Sequence, residues 1–159
     1  MKKSVYFIGI KGVGMTALAT AMQEAGWTVT GCDTDEVFIT DDVLAKHAIE
    51  VLPLESQVPK ATELIIHSAA YSPPALTQND TTQVRTLTLA QALAEFVSDR
   101  TVIAVAGVGG KTTTSAMLAV LLRFAGRDVG YYVGTSTITG LSSSGAAGTD
   151  PYFVVEADE

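Results

Sequence analysis

The segment "TVIAVAGVGGKTTTSAMLAVLLRF", residues 101–124, constrains the fold of this chain more than any other. The apolar run from Val102 to Ala106 is typical of a buried strand, and Lys111 to Phe124 has helical spacing of apolar residues. Glycine-rich residues 107–110 join the two. A helix that begins after such a loop presents free N–H groups and the positive end of its dipole. This segment therefore predicts an α/β unit with a phosphate site.

The loop departs by one residue from the P-loop pattern G-x-x-x-x-G-K-[ST], which would place glycine where this chain has Val105. Lys111 lies at the mouth of the helix, where its charge would neutralise transferring phosphoryl oxygens, and it is the predicted catalytic residue. The hydroxyl of Thr112 could bind a metal ion held by the phosphates.

The chain ends in a second strand-like run, "YFVVEADE", in which acidic residues follow apolar ones. A carboxylate at the end of a neighbouring strand completes the magnesium shell in nucleotide-hydrolysing folds, and Glu156 is the first acid after the run. We expect this strand to lie beside the one that ends at Ala106. The Thr112 hydroxyl should then lie roughly 4 to 8 Å from the Glu156 carboxylate, with Mg²⁺ at ~2.1 Å from each. The alternative is a strand that simply reaches solvent.

A second glycine cluster, "FIGIKGVGM" (residues 7–15), also joins a strand to a helix. Its backbone could hold a diphosphate, and Lys11 adds a positive charge; the alternative is a tight turn without a ligand. The dinucleotide pattern G-x-G-x-x-G would need glycine at position 11. Asp33 ends the next strand, where this fold class presents a carboxylate to a ribose or base, although an Asp there can also be a turn former.

Strand-like and helix-like runs alternate along the chain, which predicts a parallel sheet flanked by helices. The expected strands are residues 4–10, 27–33, 63–69, 101–107, 128–134 and 151–159. The expected helices run from Met15 to about Gly26, from Asp41 to His47 after a Thr40 N-cap, and over residues 86–97 and 111–124. The segment "YSPPAL" (residues 71–76) is a predicted loop, and residues 136–148 are expected to form a mobile loop.

Composition narrows the function classes. The 159 residues are 47% hydrophobic, enough for one domain or one domain plus part of another. A net charge of -7 without a basic cluster argues against nucleic-acid partners, and no apolar stretch approaches the ~20 residues of a membrane span. The single cysteine, Cys32, is expected to be a small core residue in a reducing compartment. The expectation is a soluble cytoplasmic protein.

These motifs resemble those of the Mur ligases, which build the peptide of the bacterial cell wall. Residues 9–15 match the family loop G-I-G-G-x-G-M, and residues 104–114 match its ATP loop, roughly A-V-A-G-T-H-G-K-T-T-T. Residues 156–159 match the family's E-A-D-E, and "IIHSAAYSPPAL" (residues 65–76) resembles its S-S-A-I stretch with the following proline. The order and spacing of the motifs agree over the whole chain. The family's ATP loop also lacks the first glycine of the P-loop pattern.

The resemblance implies a Rossmann-like domain, residues 1–98, followed by the beginning of a P-loop-type ATPase domain, residues 99–159. The first would bind the UDP part of UDP-N-acetylmuramic acid. The second would bind Mg-ATP and phosphorylate the substrate carboxylate, which the amine of L-alanine then attacks. The implied UDP-substrate residues are Gly9, Ile10, Lys11, Gly12, Val13, Gly14, Met15, Asp33 and Ser68. The implied ATP-binding residues are Gly107, Val108, Gly109, Gly110, Lys111, Thr112 and Thr113, with Thr112 and Glu156 as the metal pair.

The chain departs from the family pattern at several points. Lys11 replaces a loop glycine, Val108-Gly109 replace a Thr-His pair near the phosphates, and Ser144 aligns with an asparagine. The family has three domains, and this sequence matches the first and the start of the second, so we expect an incomplete fragment.

Three other functions stay open at this stage. A ligase that attaches a recycled tripeptide to the same sugar nucleotide would share every motif described. A small-molecule kinase would carry an arginine-rich lid, but the four arginines of the chain do not cluster in sequence. A non-enzymatic dinucleotide-binding module would have glycine at position 11.

Overall fold

The computed structural model describes residues 3–71 and 84–157, which form two sheets with helices packed against them. The strands are β1 (Ser4–Ile8), β2 (Thr28–Asp33), β3 (Glu50–Pro53), β4 (Leu64–His67), β5 (Arg85–Thr88), β6 (Thr101–Val105), β7 (Gly130–Tyr132), β8 (Gly145–Ala146) and β9 (Tyr152–Glu156). The helices are α1 (Val13–Glu24), α2 (Asp41–Lys46), α3 (Leu89–Phe96) and α4 (Lys111–Phe124). The α/β class predicted from the alternating pattern is confirmed.

The first sheet contains five parallel strands in the order β3-β2-β1-β4-β5. Its central strand β1 is buried along most of its length because it has neighbours on both edges, helices against one face and the side chains of Leu54, Val58 and Tyr71 against the other, which is why its sequence is almost continuously apolar. The order of strands reverses at β1, so the carboxyl ends of β1, β2 and β4 surround a crevice of the kind that binds ligands in Rossmann-like folds.

The second sheet has the order β6-β9-β7-β8, with β6, β9 and β7 parallel and β8 antiparallel to β7. Residues 102–106 were predicted to form a buried strand, and the prediction of burial is wrong. Within the described residues β6 pairs only with β9, and Val102 is 41% exposed. Strand formation itself is confirmed over Thr101–Val105.

Helix α1 lies between the two sheets, and all of residues 15–22 are buried. Leu18 and Met22 belong to the core that α1 shares with the first sheet. On the other side, the Thr20 hydroxyl donates to the carbonyl oxygen of Gly145 at 2.8 Å. The Ala147 amide donates to Glu24 Oε2 at 3.0 Å. Helix α1 therefore packs against both sheets, and α3 also reaches the second sheet, since the Phe96 ring lies 6.0 Å from the Phe153 ring.

This packing corrects the prediction of a mobile loop over residues 136–148. The segment contains β8, and Ser143, Ser144, Ala146 and Ala147 are all buried. Its small residues are needed because the backbone of β8 approaches the backbone of α1 directly: a Cβ on Gly145 would lie 1.9 Å from the Ala17 carbonyl oxygen. Small polar residues can indicate a surface loop or a close backbone contact, and here they form the contact.

Smaller differences concern element ends. Strand β3 was not predicted, and residues 86–88 belong to a strand rather than to the following helix. Helix α3 begins only after Thr88, whose side chain forms a capping box with Gln91. Thr40 precedes α2 as predicted, but its hydroxyl donates to the carbonyl oxygen of Lys11 instead of capping the helix. Most of the predicted loop at residues 71–76 lies outside the described residues.

Candidate functional site

The first glycine loop connects β1 to α1 at the crevice of the first sheet. The amides of Gly9 and Ile10 both donate to the Cys32 carbonyl oxygen, at 2.9 and 3.2 Å, which fixes the start of the loop to the end of β2. Gly9 has a φ of +81°, a conformation that favours glycine. The loop then closes with the Gly12 amide donating to the Gly9 carbonyl oxygen at 3.2 Å, and α1 begins at Val13.

The three glycines of this loop differ in whether the protein itself excludes a side chain at their position. A Cβ on Gly9 would lie 2.6 Å from Cε2 of Tyr71, and one on Gly14 would lie 2.5 Å from the hydroxyl oxygen of Tyr132. Both positions are therefore closed by packing. Gly12 differs, since its φ of -59° suits any residue and the nearest atom to a Cβ there would be 3.5 Å away. Gly12 is the position at which a ligand, rather than the protein, would be obstructed by a side chain.

Asp33 lies at the end of β2 and is buried. Its Oδ2 accepts from the Lys11 amide at 2.7 Å, and its Oδ1 accepts from the Tyr71 hydroxyl at 3.0 Å and from the Thr34 amide at 2.8 Å. Asp33 therefore organises the glycine loop in this structure, in agreement with the turn-forming alternative. A contact with ribose stays a prediction.

Lys11 and Ser68 are also engaged by the protein. The Lys11 ammonium donates to the carbonyl oxygens of Thr34 and Glu36 at 2.9 and 2.8 Å, so its charge faces the connection between β2 and α2. Ser68 follows β4, and its amide donates to the Ile8 carbonyl oxygen at 3.1 Å. Its hydroxyl oxygen would lie 2.8 Å from a Cβ on Gly9, so Ser68 borders the glycine loop, and its contact with the UDP substrate stays a prediction.

Tyr71 is a residue of this site that the sequence does not reveal. It packs against Gly9 and donates to Asp33, and burial together with the Asp33 carboxylate raises its pKa to about 12. Burial also raises the pKa of the neighbouring Cys32 thiol, which is a core residue as predicted. A tyrosine in a serine- and proline-rich stretch has no local pattern that indicates such a contact.

The second glycine loop connects β6 to α4 and is exposed from Gly107 to Gly110. Gly107 and Gly110 have φ values of +148° and +75°, and no atom lies within 4 Å of a Cβ built on Gly109 or Gly110. Val108 is fully exposed. The loop backbone is thus open to a ligand, and Lys111 is the first residue of α4 as predicted.

The two helices that follow glycine loops differ from the other two helices at their N-termini. Neither α1 nor α4 has a side-chain cap or an acidic residue in its first turn. In contrast, α2 begins with Asp41 and Asp42, and α3 has the Thr88 capping box. The first N–H groups of a helix have no acceptor within the helix, and a carboxylate or hydroxyl usually supplies one. Both glycine-loop helices therefore offer uncapped N–H groups to an anion.

Thr112 and Glu156 meet at the end of the second sheet. Strands β6 and β9 are adjacent and parallel, with Val105 opposite Glu156, as the sequence predicted. The Thr112 hydroxyl donates to Glu156 Oε1 at 2.6 Å, and the Gly134 amide donates to Oε2 at 2.7 Å. Glu156 is only 8% exposed, which excludes a carboxylate that points into bulk solvent.

The expected separation of roughly 4 to 8 Å between these two groups is wrong, because they form a direct hydrogen bond. In an octahedral shell with bonds of ~2.1 Å, neighbouring oxygens lie about 3.0 Å apart, close to the observed spacing. A hydroxyl and a carboxylate at the open glycine loop therefore fit the few protein ligands that Mg²⁺ takes beside phosphate oxygens and water. Within residues 3–71 and 84–157, no group of three or more His, Cys, Asp or Glu could hold a metal ion.

Gly134 is a second residue that sequence analysis missed. Its amide is fixed because β7 lies beside β9, and a Cβ there would come within 3.3 Å of Glu156 Oε2. The two remaining acids of the terminal motif, Asp158 and Glu159, lie outside the described residues.

No helix in the described part of the chain is long and apolar enough to cross a membrane.

Comparisons with known proteins agree with the motifs. The model of the Mur ligase family, catalytic domain, matches residues 4–101. A UDP-N-acetylmuramate–L-alanine ligase of Renibacterium salmoninarum is 39% identical over 163 residues, covering 98% of this chain and 34% of that protein. A ligase of the same name from Treponema pallidum is 36% identical over 163 residues, with 98% and 33% coverage. The chain thus spans about a third of the length of these curated relatives.

A solved structure supports the same fold. The UDP-N-acetylmuramate:L-alanyl-gamma-D-glutamyl-meso-diaminopimelate ligase from Neisseria meningitides superposes with a TM-score of 0.82 at 28% identity. The superposition covers all of this chain and 53% of that one.

Proposed function

Because the chain belongs to the Mur ligase family, we propose that it supplies the sugar-nucleotide and ATP-phosphate sites of an ATP-dependent amide-forming ligase. The proposed substrates of the whole enzyme are UDP-N-acetylmuramic acid, ATP and L-alanine, and its proposed compartment is the cytoplasm. Residues 1–98 are the proposed UDP-substrate domain and residues 99–159 the first part of the ATP-binding domain. Membership of this family sets aside the kinase and dinucleotide-module hypotheses.

The observation that carries the proposal is that each of the two glycine loops leads into a helix with an uncapped N-terminus. The loop at residues 9–14 leads into α1, and the loop at residues 107–110 leads into α4. One anion site would suit the diphosphate of a nucleotide sugar, and the other the phosphates of ATP. The pair formed by Thr112 and the buried Glu156 lies at the second loop only, which supports ATP at that loop.

The proposed reaction proceeds in two steps. A carboxylate oxygen of the substrate attacks the γ-phosphorus of ATP, so that a P–O bond forms and the bond to ADP breaks. The amine of the amino acid then attacks the acyl carbon, and phosphate leaves as the amide forms and a proton is lost. Lys111 would neutralise the charge on the transferring phosphoryl group, and loop amides would hold the remaining oxygens.

Magnesium would supply charge neutralisation at the phosphate oxygens, and the residues that would hold it are Thr112 and Glu156. Gly134 keeps the Glu156 carboxylate oriented, since its amide holds the oxygen that Thr112 does not contact. The orientation of the carboxylate therefore depends on both partners.

L-alanine is the proposed amine because the two curated relatives described above carry that activity in their names. A second candidate for the amine is a tripeptide, because the name of the similar Neisseria ligase pairs a tripeptide with the same sugar nucleotide. Phosphate release from ATP by the whole enzyme, with L-alanine or the tripeptide as the amine, decides between them.

The test at the ATP loop is calorimetric titration of the chain with Mg-ATP. Thr112→Val removes the hydroxyl, and Thr114→Val is the matched control because Thr114 lies exposed on the same helix. A lost hydrogen bond to a charged group is worth about 1.5–3 kcal/mol, so Kd should rise at least about tenfold for Thr112→Val and stay unchanged for the control. Equal affinity in both variants, at a temperature where both are folded, would refute the assignment.

A further inference from the structure

Lys11, the residue that replaces a loop glycine of the family pattern, bonds to the β2–α2 loop, residues 34–40. Its ammonium donates to the carbonyl oxygens of Thr34 and Glu36, at 2.9 and 2.8 Å, and lies 3.5 Å from Asp41 Oδ1. A lysine ammonium has three N–H donors; two of them bond to the carbonyl oxygens, and the Asp41 carboxylate pairs with the charge. The side chain is only 11% exposed, so the charge is committed to this loop.

The backbone of Lys11 is bonded to the same region. Its amide donates to Asp33 Oδ2 at 2.7 Å, and its carbonyl oxygen accepts from the Thr40 hydroxyl. The Asp41 carboxylate that faces the ammonium also accepts from the Phe38 amide, at 3.0 Å through Oδ2. The bonds of Lys11 therefore reach both ends and the middle of the β2–α2 loop.

Few other interactions hold the β2–α2 loop in one conformation. It contains no strand or helix, and Val37 and Ile39 are 92% and 73% exposed. Fixing the backbone of seven residues costs conformational entropy, so a loop without an apolar core needs specific bonds to hold one conformation. Lys11 supplies several of these bonds from one position.

The β2–α2 loop also forms one wall of a cleft of about 280 Å³, which lies beside the glycine loop at the carboxyl ends of β2 and β3. Thr34 and Asp35 line it from the loop, and Val51 and Leu52 line it from β3. Without the bonds to Lys11, binding a ligand in this cleft would include the entropic cost of ordering its wall.

We propose that Lys11 is a positioning residue that holds the β2–α2 loop against the glycine loop, so that the cleft is formed before the sugar nucleotide binds. This inference rests on the proposed function for its ligand, but the order of the loop does not depend on any ligand. The opposing hypothesis is that the Lys11 ammonium itself binds the diphosphate.

Amide hydrogen exchange measured by NMR on the unliganded chain tests the loop directly. Lys11→Met keeps the aliphatic stem and removes the ammonium, and Lys46→Met is the control because Lys46 is exposed on α2. We expect exchange at Phe38 and Asp41 to accelerate at least tenfold in Lys11→Met, to recover partly in Lys11→Arg, and to stay unchanged in Lys46→Met. Unchanged exchange in Lys11→Met would overturn the proposal.

Titration with UDP-N-acetylmuramic acid separates positioning from direct contact. Asp41→Asn removes the ion pair with Lys11. If Lys11 acts through the loop, Asp41→Asn and Lys11→Met both weaken binding, by about tenfold for Lys11→Met. If the ammonium contacts the diphosphate, Asp41→Asn frees it and tightens binding, which would overturn the proposal. Failure of the unmodified chain to bind any UDP-sugar would contradict the proposed function and would leave the exchange result to decide the role of Lys11.

Discussion

Gly145→Ala is a sharp test of the way in which the two sheets are joined. Gly145 lies in β8, and the backbone of α1 passes directly over it. A Cβ there would lie 1.9 Å from the Ala17 carbonyl oxygen and 2.5 Å from the Ala17 carbonyl carbon. Both atoms belong to the backbone, so no side-chain rotation relieves the overlap. Helix α1 and β8 must therefore move apart by more than 1 Å to restore an ordinary contact distance of about 3.5 Å.

The size of the effect follows from two contributions. Overpacking of a well-packed contact costs about 1–3 kcal/mol. Separation also breaks the bond from the Thr20 hydroxyl to the Gly145 carbonyl oxygen, worth about 1 kcal/mol. The sum is a loss of about 2–4 kcal/mol in the free energy of unfolding, or a fall in Tm of about 4 to 16 °C for a chain of this length.

Urea unfolding followed by circular dichroism measures this loss. Gly109→Ala is the control, because no atom lies within 4 Å of a Cβ at Gly109 and its φ lies outside the left-handed region. The control should change the free energy of unfolding by less than about 1 kcal/mol. A Gly145→Ala variant as stable as the unmodified chain would refute the close contact between α1 and β8.

Two further predictions concern chemistry. The chain alone should release phosphate from ATP at a negligible rate, because transition-state stabilisation needs the complete set of donors in a closed site; substrate-dependent release that Lys111→Ala abolishes would contradict this. The raised pKa of Tyr71, about 12 against an ordinary value near 10, means that the folded state favours the neutral phenol. The contribution of the Tyr71 hydroxyl to stability is complete below pH 10 and is lost as pH rises towards 12. The stability difference between the unmodified chain and Tyr71→Phe should therefore shrink over that range in urea titrations. A constant difference would contradict the raised pKa of Tyr71.

The sequence predicted best where local chemistry and tertiary structure agree. Helix α4 begins and ends as predicted, because Lys111 follows a glycine with positive φ and the apolar spacing continues to Phe124. The adjacency of β6 and β9 was also predictable, since a glycine loop and an acidic strand end can contribute to one metal–phosphate site only if their strands lie side by side.

Predictions failed where a contact over long sequence distance decides the structure. Nothing near Gly145 reveals that α1, more than a hundred residues earlier, packs against it. Similarly, the exposure of β6 depends on which strands lie beside it. The bond between Thr112 and Glu156 involves a carboxylate that the Gly134 amide, distant in sequence from both, also holds. The start of α3 could have been found, because Thr88 and Gln91 have the spacing of a capping box.

The most direct test of the central claim is calorimetric titration of the chain with UDP-N-acetylmuramic acid and, separately, with NAD. Gly12→Val is the informative variant, because the φ of -59° there suits any residue and a Cβ would meet no protein atom closer than 3.5 Å. A diphosphate on the loop amides would instead meet that side chain. We predict that the UDP-sugar binds and NAD does not, and that Gly12→Val raises Kd at least tenfold while the free energy of unfolding changes little. Tighter binding of NAD than of the UDP-sugar, or an unchanged Kd in Gly12→Val, would contradict a diphosphate site at this loop.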